Sequence, residues 1–176
     1  LHGILSYVME NQVGHVVLTD QLGTLQGILT DSCILCKLPL NTYGVKVLDL
    51  MTPNVHTLTS EHTIRDAVEI LSSHGIRRLI ICKGTEIVGL TTASEILKQF
   101  SPAKLPLGIK ISEDHVNRIM DKPLRTLNIK KPKTFKEDED VVNLIKEMRK
   151  GKQKGFPVVE NSELKGIVTP RDVLCK

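Results

Sequence analysis

Tryptophan is absent from this 176-residue chain and aromatic residues make up 3% of it, so a hydrophobic core has to be assembled from Ile, Leu and Val. That favours small repeated α/β layers over a sandwich built on large rings. No apolar run reaches the ~18 residues that cross a bilayer, and no signal-peptide pattern is visible, so no membrane association is expected. Nor is there a dense field of one charge: the formal net charge is +4, enough for a small anionic ligand but too weak, with so few rings for stacking, to argue for nucleic acid. Six histidines are scattered with no spacing that gathers metal ligands. Nucleophile-elbow, Walker and metalloprotease signatures are missing, so no catalytic residue, catalytic cofactor or metal site is assigned and no enzymatic activity is expected.

Cysteine is sparse. Of Cys33, Cys36, Cys82 and Cys175, the first two form a Cys-x-x-Cys on an apolar helical stretch with no second ligand pair at zinc spacing, which reads as free thiols in a reducing, cytoplasmic setting. The chain starts at Leu1 without Met, which reads as a portion of something longer.

What is present is ordinary globular composition, 40% hydrophobic and 25% charged, arranged as an internal repeat. The clearest copy spans 47–100. It opens Val47-Leu-Asp-Leu-Met-Thr-Pro53, passes a short apolar stretch from Val55 to Leu58, and enters a helix whose apolar face is Ile64, Ala67, Val68 and Leu71. Thr63 and Asp66 have the spacing of an N-cap and capping box. Two strands follow, Arg78–Cys82 and Glu86–Thr91, joined by a turn at Lys83-Gly84-Thr85, and a short helix runs from Ala93 to Phe100.

A second complete copy spans 115–176. Met120-Asp-Lys-Pro123 takes the place of Met51-Thr-Pro53, Asp140 is the N-cap of a helix with Val141, Leu144, Ile145 and Met148 on its apolar face, and the strands are Phe156–Val159 and Leu164–Thr169. Its closing helix begins at Pro170, a residue suited to a first turn. A truncated copy spans 1–38: Leu1, Ile4, Leu5 and Val8 on a helix face, strands at His15–Leu18 and Leu25–Leu29, and a helix from about Asp31 to Leu38. The segments Leu38 to Lys46 and Ser101 to Asp114 read as linkers. The fold class is therefore α/β, with repeated β-α-β-β-α units of ~55–60 residues, too small to bury their faces singly and so expected to pair.

Between the last strand and last helix each copy carries Gly, an apolar residue, any residue, Thr and two residues of any type, followed by Asp, Glu or Cys. The pattern is complete in Gly166-Ile-Val-Thr169-Pro-Arg171-Asp172 and resembles that of the CBS (cystathionine β-synthase) domain. The resemblance covers nearly the whole chain and implies paired units, related by a pseudo-twofold axis and set face to face, whose clefts bind adenosine-containing ligands: AMP, ADP, ATP or S-adenosylmethionine. On physical grounds Thr169 can present a hydroxyl to a phosphate, and Asp172 on the same side of the first turn can accept from a ribose diol. The same two residues also suit a purely structural role, a helix cap with a dipole-complementing carboxylate. In the middle copy Gly89-Leu-Thr-Thr92-Ala-Ser-Glu95 keeps the threonine and lengthens the acid, so Thr92 and Glu95 are further candidates. In the first copy Thr30 is retained but Cys33 replaces the acid and cannot hold a diol, which marks that site as degenerate.

The resemblance also points to basic residues at the start of the second strand. The matching positions are Arg77 and Arg78, Gly14 and His15, and Lys154 and Gly155. Strand alternation sends Arg77 and Arg78 to opposite faces, so one of them can reach a phosphate. The other reading of these cations is as solvated edge charges. Two functions are thus in view: an adenine-nucleotide-sensing module that regulates an enzyme or transporter, and an interaction module; two and a half copies leave one sheet face without a partner, which a homodimer through the repeats, the expected state, or a fourth repeat would cover.

Overall fold

The structure is a computed structural model that describes residues 6–7, 10–11, 13–40, 44–101 and 112–176; the helix face expected at Leu1, Ile4, Leu5 and Val8 lies outside the described residues. In chain order the elements are β1 (His15–Thr19), β2 (Leu25–Thr30), α1 (Asp31–Lys37), α2 (Val47–Leu50), β3 (Thr52–Pro53), β4 (Thr57–Thr59), α3 (Ile64–Ser73), β5 (Arg78–Lys83), β6 (Glu86–Thr92), α4 (Ala93–Leu97), α5 (Glu113–Met120), β7 (Phe135–Lys136), α6 (Val141–Arg149), β8 (Phe156–Glu160), β9 (Glu163–Val168) and α7 (Pro170–Cys175). Short 3₁₀ turns follow α4 at Lys98–Phe100 and occupy Leu124–Thr126. The fold is mixed α/β, as the repeat pattern requires.

The chain divides into two compact units that do not follow the sequence repeats. The first comprises residues 1–53, 133–160 and 165–176; the second comprises 54–132 and 161–164.

In the first unit a four-stranded sheet runs β3-β9-β8-β7, with β3 antiparallel to β9 and β7 parallel to β8. The hairpin β1–β2 forms its own two-stranded sheet with Val17 opposite Ile28. Helix α1 buries Ile34 and Leu35 and packs against α6 and α7. Arg149, in the last turn of α6, donates Nε to the Leu35 carbonyl at 3.2 Å and Nη2 to the Leu38 carbonyl, a cation on the C-terminal end of α1. The core joins Leu35 and Val47 to Leu144, Ile145, Phe156 and Val168, and Phe135 meets Phe156 edge to face with ring centroids 5.5 Å apart.

In the second unit β4, β5 and β6 form a three-stranded sheet, β4 parallel and β6 antiparallel to β5. Helix α3 starts at the expected capping box: Thr63 N–H donates to Asp66 Oδ2 at 2.7 Å while the Asp66 N–H donates to Thr63 Oγ1 at 3.1 Å. Its face of Ile64, Ala67 and Leu71 packs on Leu58, Leu79 and Ile81. Helix α5, capped by Ser112, begins inside the segment expected to be a linker.

The units also correct the internal register. Met120-Asp-Lys-Pro123 does not stand where Met51-Thr-Pro53 stands. In the first unit Val45 accepts from the Val141 N–H at 3.1 Å, Val47 N–H donates to the Glu139 carbonyl at 3.0 Å, and Lys46 bridges Asp140, the N-cap of α6. In the second unit Lys122 accepts from the Ile64 N–H at 2.9 Å, Leu124 N–H donates to the His62 carbonyl at 2.7 Å, and Pro123 bridges Thr63, the N-cap of α3. Pro123 therefore corresponds to Lys46, and the counterpart of the Met51-Thr52 strand is Ile129-Lys130, where Lys130 bridges Leu90 as Thr52 pairs with Ile167. A shared Met and Pro suggested the wrong alignment.

Each of these strands lies against a glycine. A Cβ on Gly166 would come within 2.8 Å of both Met51 Sδ and the Thr52 carbonyl oxygen, and one on Gly89 within 1.7 Å of Ile129 Cγ2. Gly89 and Gly166 of the repeated motif are thus where a partner strand closes on the sheet, while Gly27 has open space beside it.

Candidate functional site

All three motif threonines sit at the strand-to-helix junction as N-caps, in extended backbone, of α1, α4 and α7. What differs is the residue three positions on. In the first unit Thr30 Oγ1 accepts from the Cys33 N–H at 3.2 Å and lies 3.2 Å from Cys33 Sγ. That hydroxyl, then the Thr30 backbone contact, lowers the Cys33 thiol pKa from its ordinary value against the opposing charge of Asp31. In the second unit Glu95 reaches back so that Oε2 accepts from the Thr92 N–H at 3.0 Å and from Thr92 Oγ1 at 3.2 Å.

The third junction is the most elaborate. Asp172 Oδ2 accepts from the Thr169 N–H at 2.8 Å and from Thr169 Oγ1 at 2.6 Å. Its other oxygen, Oδ1, accepts from Thr52 Oγ1 on β3 at 2.8 Å and lies 3.4 Å from Lys176 Nζ. Lys176 Nζ also donates to the Leu50 and Met51 carbonyls at 2.9 and 2.8 Å and to Thr52 Oγ1 at 3.2 Å. A carboxylate offers about four acceptor directions, and here three take hydrogen bonds while Lys176 adds an ion pair. The Asp172 side chain is 13% exposed, so these bonds are made largely out of water and are worth more than surface contacts.

Thr169, Asp172 and Gly166 come together as the sequence pattern requires, although Gly166 faces Met51 and Thr52. Arg171 is exposed. Arg77 and Arg78 stand beside Thr92: Arg78 pairs with Thr92 across β5 and β6, and the Ala93 N–H donates to the Arg77 carbonyl at 3.2 Å. Arg77 is exposed in the bend before β5, and Arg78, the first residue of the strand, is half-buried. Lys154 is exposed just before β8. The first unit repeats the arrangement at Thr30, where His15 pairs with Thr30 and the Asp31 N–H donates to the Gly14 carbonyl at 3.0 Å.

Sequence reasoning missed Thr52 and Lys176. Lys176 carried a readable signal, since it follows Asp172 by four positions on one helix. Thr52 carried none, because it belongs in sequence to the middle copy. Cys33 and Cys36 are free and exposed. Among the described residues no group of three or more His, Cys, Asp or Glu is placed to hold a metal, and no helix is long and apolar enough to cross a membrane.

Comparison with known proteins places this geometry. The family model of the CBS domain matches residues 47–101 and 116–175. A Thermofilum pendens protein described as an uncharacterized 33.4 kDa protein in the ribosomal RNA operon is 26% identical over 176 residues, all of this chain and 58% of its own. A Methanocaldococcus jannaschii crystal structure, described as a proposed archaeal homologue of γ-AMPK, superposes with a TM-score of 0.81 at 21% identity, covering 99% of this chain and 63% of that one. The CBS domain pair of another M. jannaschii protein, crystallised with 5′-methylthioadenosine and S-adenosyl-L-methionine, is 27% identical with a TM-score of 0.59 over 73% of this chain and 92% of its own. The chain thus spans less than two thirds of the length of the first two proteins.

Proposed function

From the premise that the chain belongs to the CBS domain family, whose members are typically regulatory rather than catalytic, we propose that it is a regulatory module that binds an adenosine-containing ligand at Thr169 and Asp172. The observation that carries the reading is Asp172, a half-buried carboxylate at the family's motif position whose Oδ1 is held by side-chain partners, Thr52 and Lys176, that a ligand can replace. The related pair crystallised with adenosyl ligands supports the ligand class, and AMP, ADP and ATP are the nucleotides to which the reading extends. Thr92 and Glu95, with Arg77 or Arg78 beside them, form a second candidate site; Arg171 within the motif and Lys154 just before β8 are the candidate phosphate-binding cations of the first; Thr30 marks a degenerate third. The regulated partner is an enzyme or transporter, and the working compartment is the cytoplasm.

Isothermal titration with AMP, ADP, ATP and S-adenosylmethionine tests the proposal. Heat with at least one ligand, lost in Asp172→Ala, is the expected result. No heat with any of the four overturns it.

A second reading, self-association through the repeats, is favoured by the hairpin β1–β2. Val17 and Ile28, paired across it, are 57% and 60% exposed, with Leu25 at 69%, whereas Ile80, at the corresponding position in β5, is fully buried. Such a bare apolar sheet face calls for a cover. Light scattering should show a dimer that Val17→Lys converts to monomer; a wild-type monomer at high concentration removes this reading.

A further inference from the structure

The Lys176 ammonium lies among four oxygens: the Leu50 and Met51 carbonyls, Thr52 Oγ1 and Asp172 Oδ1, at 2.9, 2.8, 3.2 and 3.4 Å. Of the two carboxylate oxygens of Asp172, Oδ2 is tied to the backbone and hydroxyl of Thr169 within the same helix start, and breaking those bonds unravels a cap. Oδ1 is tied only to side chains. It is therefore the oxygen available to an incoming diol, and both of its partners must yield before a sugar can use it. An ammonium beside a half-buried carboxylate also satisfies its charge, which lessens the gain from a neutral hydroxyl donor.

We propose that Lys176 is an internal competitor for the ribose-accepting oxygen of Asp172, setting the affinity of this site, and that a bound ribose displaces Lys176 and Thr52 together. The inference rests on Thr169 and Asp172 being the ribose site. It has a consequence along the chain. Leu50, Met51 and Thr52 are the last residues before Pro53, where the chain leaves the first unit for the second, and β3 is held to β9 by only two paired residues. Displacing Lys176 and Thr52 removes the side-chain bonds that pin this crossing segment, so occupancy of Asp172 is transmitted to Met51–Pro53.

Titration with adenosine isolates the competition, because the ligand is uncharged and gains nothing from an ammonium near a phosphate. Lys176→Met should bind adenosine about tenfold more tightly than wild type, the scale of one lost ion pair with its hydrogen bonds. Lys176→Arg, which keeps the charge, should bind as weakly as wild type, and Thr52→Val, which removes the other partner of Oδ1 without changing side-chain volume, should also tighten binding. Hydrogen exchange at the amides of Met51 and Thr52 should quicken when adenosine is added to wild type, and should already be quick in ligand-free Lys176→Met. Equal or weaker adenosine binding by both Lys176→Met and Thr52→Val, with binding still lost in Asp172→Ala, overturns the competitor and leaves the site standing. Undiminished binding in Asp172→Ala, or none by any form, overturns the site and the competitor with it.

Discussion

Asp172 combines two tasks that the sequence presents as alternatives. One oxygen closes the helix start at Thr169 and the other faces Thr52 and Lys176, so capping and ligand recognition use different atoms of one carboxylate. Replacing Asp172 with Ala should therefore cost on both counts: about 1 kcal/mol of stability from the lost cap, read as a lower melting temperature, and at least about tenfold in affinity for AMP from the lost charged acceptor. Loss of stability with unchanged affinity would leave the cap as its only role. Cys33 occupies the equivalent position with a thiol, and Thr30 lowers its pKa while burial raises that of Cys82. Cys33 should alkylate with iodoacetamide faster than Cys82 near neutral pH, and Thr30→Val should slow it. Equal rates in the two forms would show that the Thr30 hydroxyl does not activate the thiol.

At the scale of elements the capping boxes and the glycines divide the work of the motif. Local caps set where α3, α4 and α7 begin, and those of α3 and α7 were legible because the partners are three residues apart. Gly89 and Gly166 serve the approach of a distant strand, and their partners were not legible. Gly166→Ala should place a methyl against the Thr52 carbonyl, which is backbone and cannot swing aside, and should destabilise the fold by roughly 1–3 kcal/mol while loosening β3, detectable as faster exchange at Thr52. A Gly166→Ala protein that melts like wild type would mean that β3 is not held where Gly166 requires it. The register between Val47 and Leu124 was hidden for a related reason. Matching Met and Pro residues drew the alignment onto Met120–Pro123 in place of Ile129-Lys130, although Leu124 to Phe135 spans as many positions as Val47 to Leu58.

Across the whole molecule, acid sensitivity follows from carboxylates whose pKa values are lowered on folding. The backbone N–H and hydroxyl of Thr63 lower that of Asp66, Lys131 that of Glu86, and Lys150 and Lys133 that of Glu147. A lowered folded pKa means that the unfolded chain binds protons first as pH falls. The stability these groups contribute is complete above the ordinary carboxylate range and is lost as pH drops through it toward the folded values. Urea unfolding should give a free energy that is flat with respect to these groups from about pH 7 to about pH 5.5 and declines from about pH 4.5 to pH 3. A free energy that rises over the lower interval would reverse the sign and contradict the assigned hydrogen bonds.

The sequence by itself determined the repeating strands and helices, the caps at Thr63, Asp140 and Thr169, and the grouping of Thr169 with Asp172, because each depends on side-chain periodicity or on partners within about four residues. Only the tertiary structure decided that Thr52-Pro53 completes the sheet of the last copy, that Ile129-Lys130 lies on that of the middle one, and that Thr52 and Lys176 hold Asp172. Strand pairing is chosen by which segments pack and close together, and Thr52 meets Asp172 across 120 positions of chain, a distance over which no local propensity carries information.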